Sequence, residues 1–298
     1  MNAYARLLLI CDPDLHYSPA LARAQALAGA FDARLHIVVL GSLPTGLSVL
    51  DYNARQRVRE DIQESQRTWL DDQLELLRGH GIDASAEAVW SDDPLEDIIA
   101  LVRRHHIDLL LKDTRYEPAL SRALTHPLDW QLLRQSPVPL HLVSQATHPL
   151  PRKVVAAIDL SQDDPEVDQL NQRIVEMAQQ FAGQCDAELH LLQAYDVSAG
   201  FLAYAAGPVA WTPDVAELAA GRSRQQMERI GSQFNVGRIC QHFVKGSATR
   251  VIAEFAEQQH MDVVVMGTLY HAGLAKIIGS TTEQALYRVN SSILAVRP

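Results

Sequence analysis

The sequence predicts an α/β protein made of two tandem, doubly wound, five-stranded parallel-sheet domains. Three observations carry this. Short apolar runs alternate with amphipathic helical stretches along the whole chain. The alternation pauses at Gln145–Arg152, a proline-containing stretch without periodicity, and then starts again. Matching segments recur at a nearly constant spacing. Ile107-Asp108 and Met261-Asp262 are 154 residues apart, and PVPLHLV (Pro137–Val143) and NSSILAV (Asn290–Val296) are 153 apart. A spacing that holds across several elements marks an internal duplication. It sets domains at 1–146 and 152–298. Alternating strands and helices require right-handed crossovers and therefore parallel sheets.

In the first half, Leu7–Ile10 is the first strand and ends in the turn signal Cys11-Asp12-Pro13-Asp14. Ser18-Pro19 opens a helix, serine as N-cap and proline at the first helical position. Leu35–Leu40 is the second strand, and Gly41–Leu50 a loop. Residues 53–78 form a long helix with an apolar stripe of Val58, Ile62, Trp69, Leu70, Leu74 and Leu77, ended by Gly79 and Gly81. Ala84–Trp90 is the third strand, and Asp92-Asp93-Pro94 caps the next helix. Leu109–Leu111 is the fourth strand, residues 120–134 are helical in parts around Pro127, and Leu140–Val143 is the fifth strand. In the second half, Val154–Ile158, His190–Tyr195, Cys240–Val244 and Val263–Met266 repeat strands one to four, and Ser247–Gln259 repeats the third helix.

Bulk properties narrow the function. The chain has 298 residues and a net charge of −10. Residues 1–150 hold 14 basic and 20 acidic residues, and 151–298 hold 12 and 16. Neither half is basic, which argues against a nucleic-acid surface. No run approaches the roughly 20 apolar residues of a membrane span. Three cysteines without a CxxC spacing fit a reducing compartment, so the expected location is cytoplasmic.

Doubly wound sheets bind ligands beyond the carboxyl ends of their strands, at a switch in strand order. The candidates in the second half are Asp159, the Tyr195 region, Lys245-Gly246, and Gly267 onward; in the first half they are Asp12, Gly41, Trp90-Ser91 and Lys112-Asp113. The richest stretch is Val263–Glu283. An apolar strand leads to Gly267 and Thr268, then Gly273, Gly279, Ser280, Thr281 and Thr282, with helical periodicity resuming at about Thr282. Strand, glycine loop and helix start can present backbone N–H groups to a phosphate.

These residues resemble the universal stress protein family in its tandem form. The similarity rests on IDLSQDDP after the first strand of the second half, on MGT and AGLAKIIGSTTEQ after its fourth strand, and on HPLDWQLLRQSPVPL in the first half. It covers nearly the whole chain. The resemblance implies the adenine nucleotide alpha hydrolase-like fold, with the two domains paired through their fifth strands as an intramolecular pseudo-dimer. Many single-domain members bind ATP through G-x2-G-x9-G-(S/T) and an acid after strand one. Carried over, this assigns nucleotide contacts to Asp159, Gly267, Gly279, Ser280 and Thr281, with Gly246, Thr268 and Gly273 beside them. The chain departs from the pattern at Tyr270, where the second glycine is expected. Eleven residues, not twelve, separate Gly267 from Gly279. The first half has no glycine after strand four and is expected to serve as a scaffold.

Other features have blander readings. Val197–Pro213 is apolar, with Phe201, Tyr204 and Trp211, and suits a wall for a small apolar ligand or a packing surface. Of the twelve histidines, His105-His106 are adjacent, a poor chelating geometry, and His36, His141, His190 and His242 read as structural strand residues. No metal site is expected, since HExxH and CxxC spacings are absent. GxSxG and Walker A sequences are also absent, so a catalytic role is not expected. The expected function is a cytoplasmic stress-response binding module whose second domain takes ATP or AMP. The alternatives are a module for an apolar ligand or protein partner, or a weak ATP hydrolase. Monomer and homodimer both remain open.

Overall fold

The computed structural model describes residues 4–11, 14, 18–42, 51–114, 128–144, 148–161, 164–196, 213–272, 275–278 and 288–297. Side chains are described for all of these except 213–219, 269–272 and 275–278. The chain divides into two compact units, Met1–Leu150 and Pro151–Pro298.

In the first unit, strands β1 (Arg6–Cys11), β2 (Arg34–Gly41), β3 (Ala84–Trp90), β4 (Leu109–Asp113) and β5 (Leu140–Val143) form a parallel sheet in the order β3-β2-β1-β4-β5. The central strands read as continuous apolar runs because both faces are covered: Leu7, Leu8, Leu9, Leu109, Leu110 and Leu111 are fully buried. Helices α1 (Pro19–Phe31), α2 (Tyr52–Gly79), α3 (Pro94–Arg104) and α4 (Leu128–Gln135) follow β1 to β4 in turn. Two of the caps, Ser18 and Asp93, are those the sequence signals, and Asp51 is a third. Ser18 Oγ accepts from Leu21 N at 3.0 Å, Asp51 Oδ1 from Ala54 N at 2.8 Å, and Asp93 Oδ1 from Glu96 N at 3.1 Å. The stripe of α2 is less regular than expected. Leu70, Leu74 and Leu77 are buried, Val58, Ile62 and Trp69 are half-buried, and Gln66 joins the buried face.

The second unit repeats the plan with β6 (Lys153–Ile158), β7 (Glu188–Tyr195), β8 (Gln241–Lys245), β9 (Val263–Gly267) and, last, β12 (Ser292–Val296), in the order β8-β7-β6-β9-β12. Helices α5 (Pro165–Cys185), α6 (Pro213–Gln233) and α7 (Ala248–Gln258) cover it. One element departs from expectation. The stretch read as a glycine loop contains an antiparallel pair, β10 (Leu269–Ala272) and β11 (Ala275–Ile278), with Tyr270 opposite Ile277. Leu269 and Tyr270 before Gly273, and Ile277 and Ile278 after it, are strand formers, which favours this pairing over an open loop.

The duplication is visible in the backbone. Left-handed residues occur as Asp32 and Asp186, Gly81 and Asn235, and His106 and His260, each pair 154 residues apart. The repeated Ile/Met-Asp dipeptides share one task. Asp108 Oδ2 accepts from Ala5 N and Arg6 N at 3.1 and 2.9 Å, and Asp262 Oδ2 from Arg152 N and Lys153 N at 2.8 and 3.0 Å. Each aspartate therefore ties down the amino end of its unit's first strand, while Ile107 and Met261 fill the core.

Candidate functional site

In each unit the strand order switches direction between the first and fourth strands, β1 and β4 or β6 and β9. The residues leaving these strands at their carboxyl ends define the crevice where a ligand is expected.

In the first unit, the chain's own carboxylates occupy this region. Asp113, at the end of β4, accepts the Ser18 hydroxyl on Oδ2 and the Ala20 N–H on Oδ1 at 2.8 Å. It thus places a negative charge at the positive start of α1. Lys112 does not reach out to solvent, as a loop lysine would. It is buried in β4, with Nζ 2.8 Å from Asp129 Oδ1 and 2.9 Å from the Asp113 carbonyl. The start of α3 is closed by Asp93, and Ser91 is buried with its hydroxyl donating to Asp97 at 2.6 Å. Asp12 lies outside the described residues.

The second unit differs at the same positions. The register that sets Asp113 against Val143 sets Gly267 against Val296, so Gly267 stands where Asp113 does. A side chain there would press on Leu170 of α5: an added Cβ would lie 2.7 Å from its Cδ2, the end of a half-buried side chain. Ser247 replaces the capping Asp93, and its side chain makes no capping hydrogen bond to α7. Gly246 carries φ +144°, and its N–H donates to the Tyr195 carbonyl at 2.9 Å. The Arg250 guanidinium lies close enough that an added Cβ on Gly246 would come within 2.9 Å of Nη2. Lys245 is exposed.

Asp159 sits at the carboxyl end of β6, half-buried. Its Oδ1 accepts the Ser161 N–H at 3.0 Å and the Ser161 hydroxyl at 2.5 Å, so the carboxylate shapes its own turn. Three buried side chains that sequence reasoning missed fix this turn. Asn171 of α5 accepts the Asp159 N–H at 2.9 Å and donates to its carbonyl at 2.6 Å. Gln193 of β7 accepts the Leu160 N–H at 2.7 Å, and Ser223 of α6 donates to the Leu160 carbonyl at 2.8 Å. The signal for Asn171 was present: it falls on the apolar stripe with Ile174, Ala178 and Phe181. Thr268 is 1% exposed, with its N–H and hydroxyl both donating to the Val296 carbonyl at 2.9 and 3.3 Å.

Asp159, Gly246, Gly267 and Thr268 are thus brought to the carboxyl ends of one sheet. Gly273, Gly279, Ser280 and Thr281 lie outside the described residues, as do Phe201, Tyr204 and Trp211 of the apolar segment.

Two histidine clusters lie away from this crevice, on the second and third strands. His36 Nδ1 is 2.8 Å from Ser85 Oγ and its Nε2 is 3.0 Å from Glu87 Oε1, while His105 stacks on the His36 ring at a 4.0 Å centroid distance. Burial lowers the His36 pKa below its ordinary value; the Glu87 hydrogen bond opposes this only in part, and the nearby His105 adds to it. In the second unit, His190 Nδ1 is 2.9 Å from His242 Nε2, and Glu188 and Cys240 stand on its other side.

The sequence pattern of the universal stress protein family matches residues 3–144 and again 151–297. The chain is 31% identical to universal stress protein E of Photorhabdus laumondii, covering 100% of this chain and 96% of that protein. It is 28% identical to universal stress protein E of Escherichia coli K12, over 100% and 95%. Among solved structures, a functionally unknown protein of Pseudomonas aeruginosa PAO1 superposes with a TM-score of 0.75 at 26% identity, covering 100% of this chain and 94% of the other. A universal stress protein of Archaeoglobus fulgidus superposes with a TM-score of 0.68 at 16% identity, over 99% and 98%, a likeness of fold alone.

Proposed function

The chain belongs to the universal stress protein family, and from that premise we propose that it is a binding module of the stress response whose second unit takes an adenine nucleotide, ATP or AMP. One contrast between the units carries the reading. Where the first unit supplies carboxylates at the end of its fourth strand and the start of its third helix, Asp113 and Asp93, the second has Gly267 and an uncapped Ser247. The first unit carries its own anion at the start of its third helix; the second leaves the uncapped start of α7 for an anion from outside, beside the exposed Lys245 and beside Arg250, whose present partner is the exposed Glu254 at 3.9 Å. Asp159 and its braced turn stand beside β9 on the switch, suited to the ribose or base. Gly279, Ser280 and Thr281 take the phosphates in this proposal, by the family pattern. The glycine the pattern expects at Tyr270 is replaced by a paired strand residue, so the phosphates are held mainly from the Gly246 and Gly279 sides. Thr268, between β9 and β10, gives its N–H to Val296 and shapes the strand exit; Gly273 stands in for part of the missing glycine in this proposal.

Binding rather than turnover is the proposed activity. The cytoplasm is the proposed compartment: among the described residues, Cys11, Cys185 and Cys240 form no disulfide, and no helix is long and apolar enough to cross a membrane. Calorimetric titration of the full chain with ATP and with AMP tests the proposal. The expected result is one nucleotide bound per chain, with a rise in melting temperature. Absence of both heat and thermal shift at millimolar nucleotide overturns it.

A further inference from the structure

We propose that Glu188, His190 and Cys240 form a three-ligand site for a divalent transition metal of the zinc class, at the amino end of the second unit's sheet and separate from the nucleotide crevice. Glu188 and His190 come from the start of β7, two residues apart and so on the same face of the strand. Cys240 closes the short 3-10 turn Arg238–Cys240 that enters β8. The three donor atoms lie within 4.8 Å of one another.

The spacing suits a tetrahedral ion. Ligand distances of about 2.3 Å to sulfur and about 2.0 Å to nitrogen and oxygen set edges of about 3.5 Å from sulfur and about 3.3 Å between nitrogen and oxygen. Cys240 Sγ is 3.5 Å from Glu188 Oε1, and His190 Nε2 is 3.3 Å from Glu188 Oε2; the two edges run from the two oxygens of one carboxylate, which a small rotation of the exposed Glu188 side chain brings to a single ligand oxygen. His190 is 6% exposed, and its Nε2 is buried and makes no hydrogen bond of good angle although a carboxylate stands at ion-pair distance. The other ring nitrogen faces His242 Nε2 at 2.9 Å. With Nδ1–H donating to His242, the Nε2 lone pair points toward Glu188 and Cys240, the usual arrangement of a metal-bound imidazole with a positioning partner. The Glu188 side chain is 53% exposed, so water can reach the fourth position. Lys153, whose charge acts on Glu188 and Cys240, also donates to the Gln259 carbonyl at 3.3 Å. A mixed thiolate, imidazole and carboxylate set favours zinc over magnesium or calcium.

The first unit supplies an internal contrast. His36 is the counterpart of His190, 154 residues earlier, but its partners are Glu87 and the stacked His105. Rings inclined by only 25° at a 4.0 Å separation cannot both hold one ion in their planes. Ser85 stands in the strand register where the second unit has Cys240. One site per chain is therefore expected. Sequence spacing concealed it, because the ligands lie 50 residues apart and meet only through the pairing of β7 with β8.

The test uses the full chain, stripped with chelator and titrated with cobalt(II) alone, then with zinc(II) alone. The expected result is one equivalent of cobalt bound, with intense visible bands of tetrahedral geometry and a thiolate charge-transfer band, both displaced by zinc. Cys240→Ser removes the charge-transfer band, and Glu188→Gln weakens binding at least tenfold. Glu188 is exposed and Cys240 half-buried, and melting curves of both variants confirm folding. His242→Ala weakens binding roughly tenfold and alters the visible spectrum. An independent readout needs no variant: zinc slows alkylation of Cys240, mapped by peptide mass, at least tenfold, and chelator restores it. A wild-type protein without the thiolate band at saturating cobalt, a band that survives Cys240→Ser, or alkylation indifferent to zinc overturns the proposal.

Discussion

Gly246 and Gly267 lack side chains for different reasons, and substitution separates them. Gly246 sits at φ +144°, where a β-carbon is strained and would also meet Arg250 and Val251 within 3.0 Å. Gly246→Ala is expected to lower stability by about 1–3 kcal/mol, measured by urea unfolding. Gly267 has no such backbone demand; its neighbour is Leu170, a half-buried side chain able to give way. At His36 the prediction concerns pH. Burial lowers its folded pKa, so the native state resists a proton that the unfolded chain accepts at its ordinary value of about 6.5. Its contribution is complete above that value and is lost as pH falls through the lowered folded pKa. Glu87 is also shifted down: burial pushes it up, but its hydrogen bond to His36 and the charges of His36, Arg104 and His105 outweigh that. Its contribution is present above its ordinary value of about 4.5 and is lost as pH falls through the lowered folded value, below the window tested. Between pH 7.5 and 5.5 the urea midpoint should fall in the native sequence and fall less in His36→Gln; equal slopes would rule the assignment out. The sequence marked His36 as a strand residue. It could not show that Glu87 and His105 meet it, because that depends on the register of β2 with β3 and on the exit of α3.

At the scale of elements, strands, caps and the first unit's helices were legible because their signals are local: apolar runs, Ser18-Pro19, Asp93-Pro94, and the left-handed exit at Gly81. Lys112 was not. It follows three leucines in β4 and reads as the first residue of a loop, yet the strand runs two residues further and carries it inside. There it is paired with Asp129 of α4, with side-chain exposures of 11% and 7%. Removing one partner of such a pair leaves a buried charge, whereas removing both does not. Lys112→Met is therefore expected to destabilise by about 3–5 kcal/mol. Lys112→Met combined with Asp129→Leu should recover most of that loss. A double variant as unstable as the single one would show that Lys112 acts through packing rather than charge. The pair β10–β11 was missed for a related reason. Glycines, alanines and hydroxyls suggest a phosphate loop, but Leu269, Tyr270, Ile277 and Ile278 are strand formers, and pairing satisfies backbone groups of the two strands.

At the scale of the whole molecule, one duplicated plan has diverged at corresponding positions, and the divergence predicts which unit takes the ligand. The 154-residue offset aligns Lys112-Asp113-Thr114 with Met266-Gly267-Thr268. The two threonines do the same work, donating their N–H groups to Val143 and Val296 at 2.8 and 2.9 Å. The aspartate and the glycine do not. If Asp113 makes the first unit self-sufficient in charge, a carboxylate at residue 267 should do the same to the second. Gly267→Asp is expected to weaken nucleotide binding by at least tenfold, about 1.4 kcal/mol or more. Gly267→Asn adds nearly the same bulk against Leu170 without the charge and should retain most of the affinity. Calorimetric titration of both variants, with melting curves to confirm folding, compares them directly. Equal losses would make the glycine a matter of space alone. A loss confined to the aspartate would mean that the second unit keeps its crevice for an external anion by leaving out the internal one.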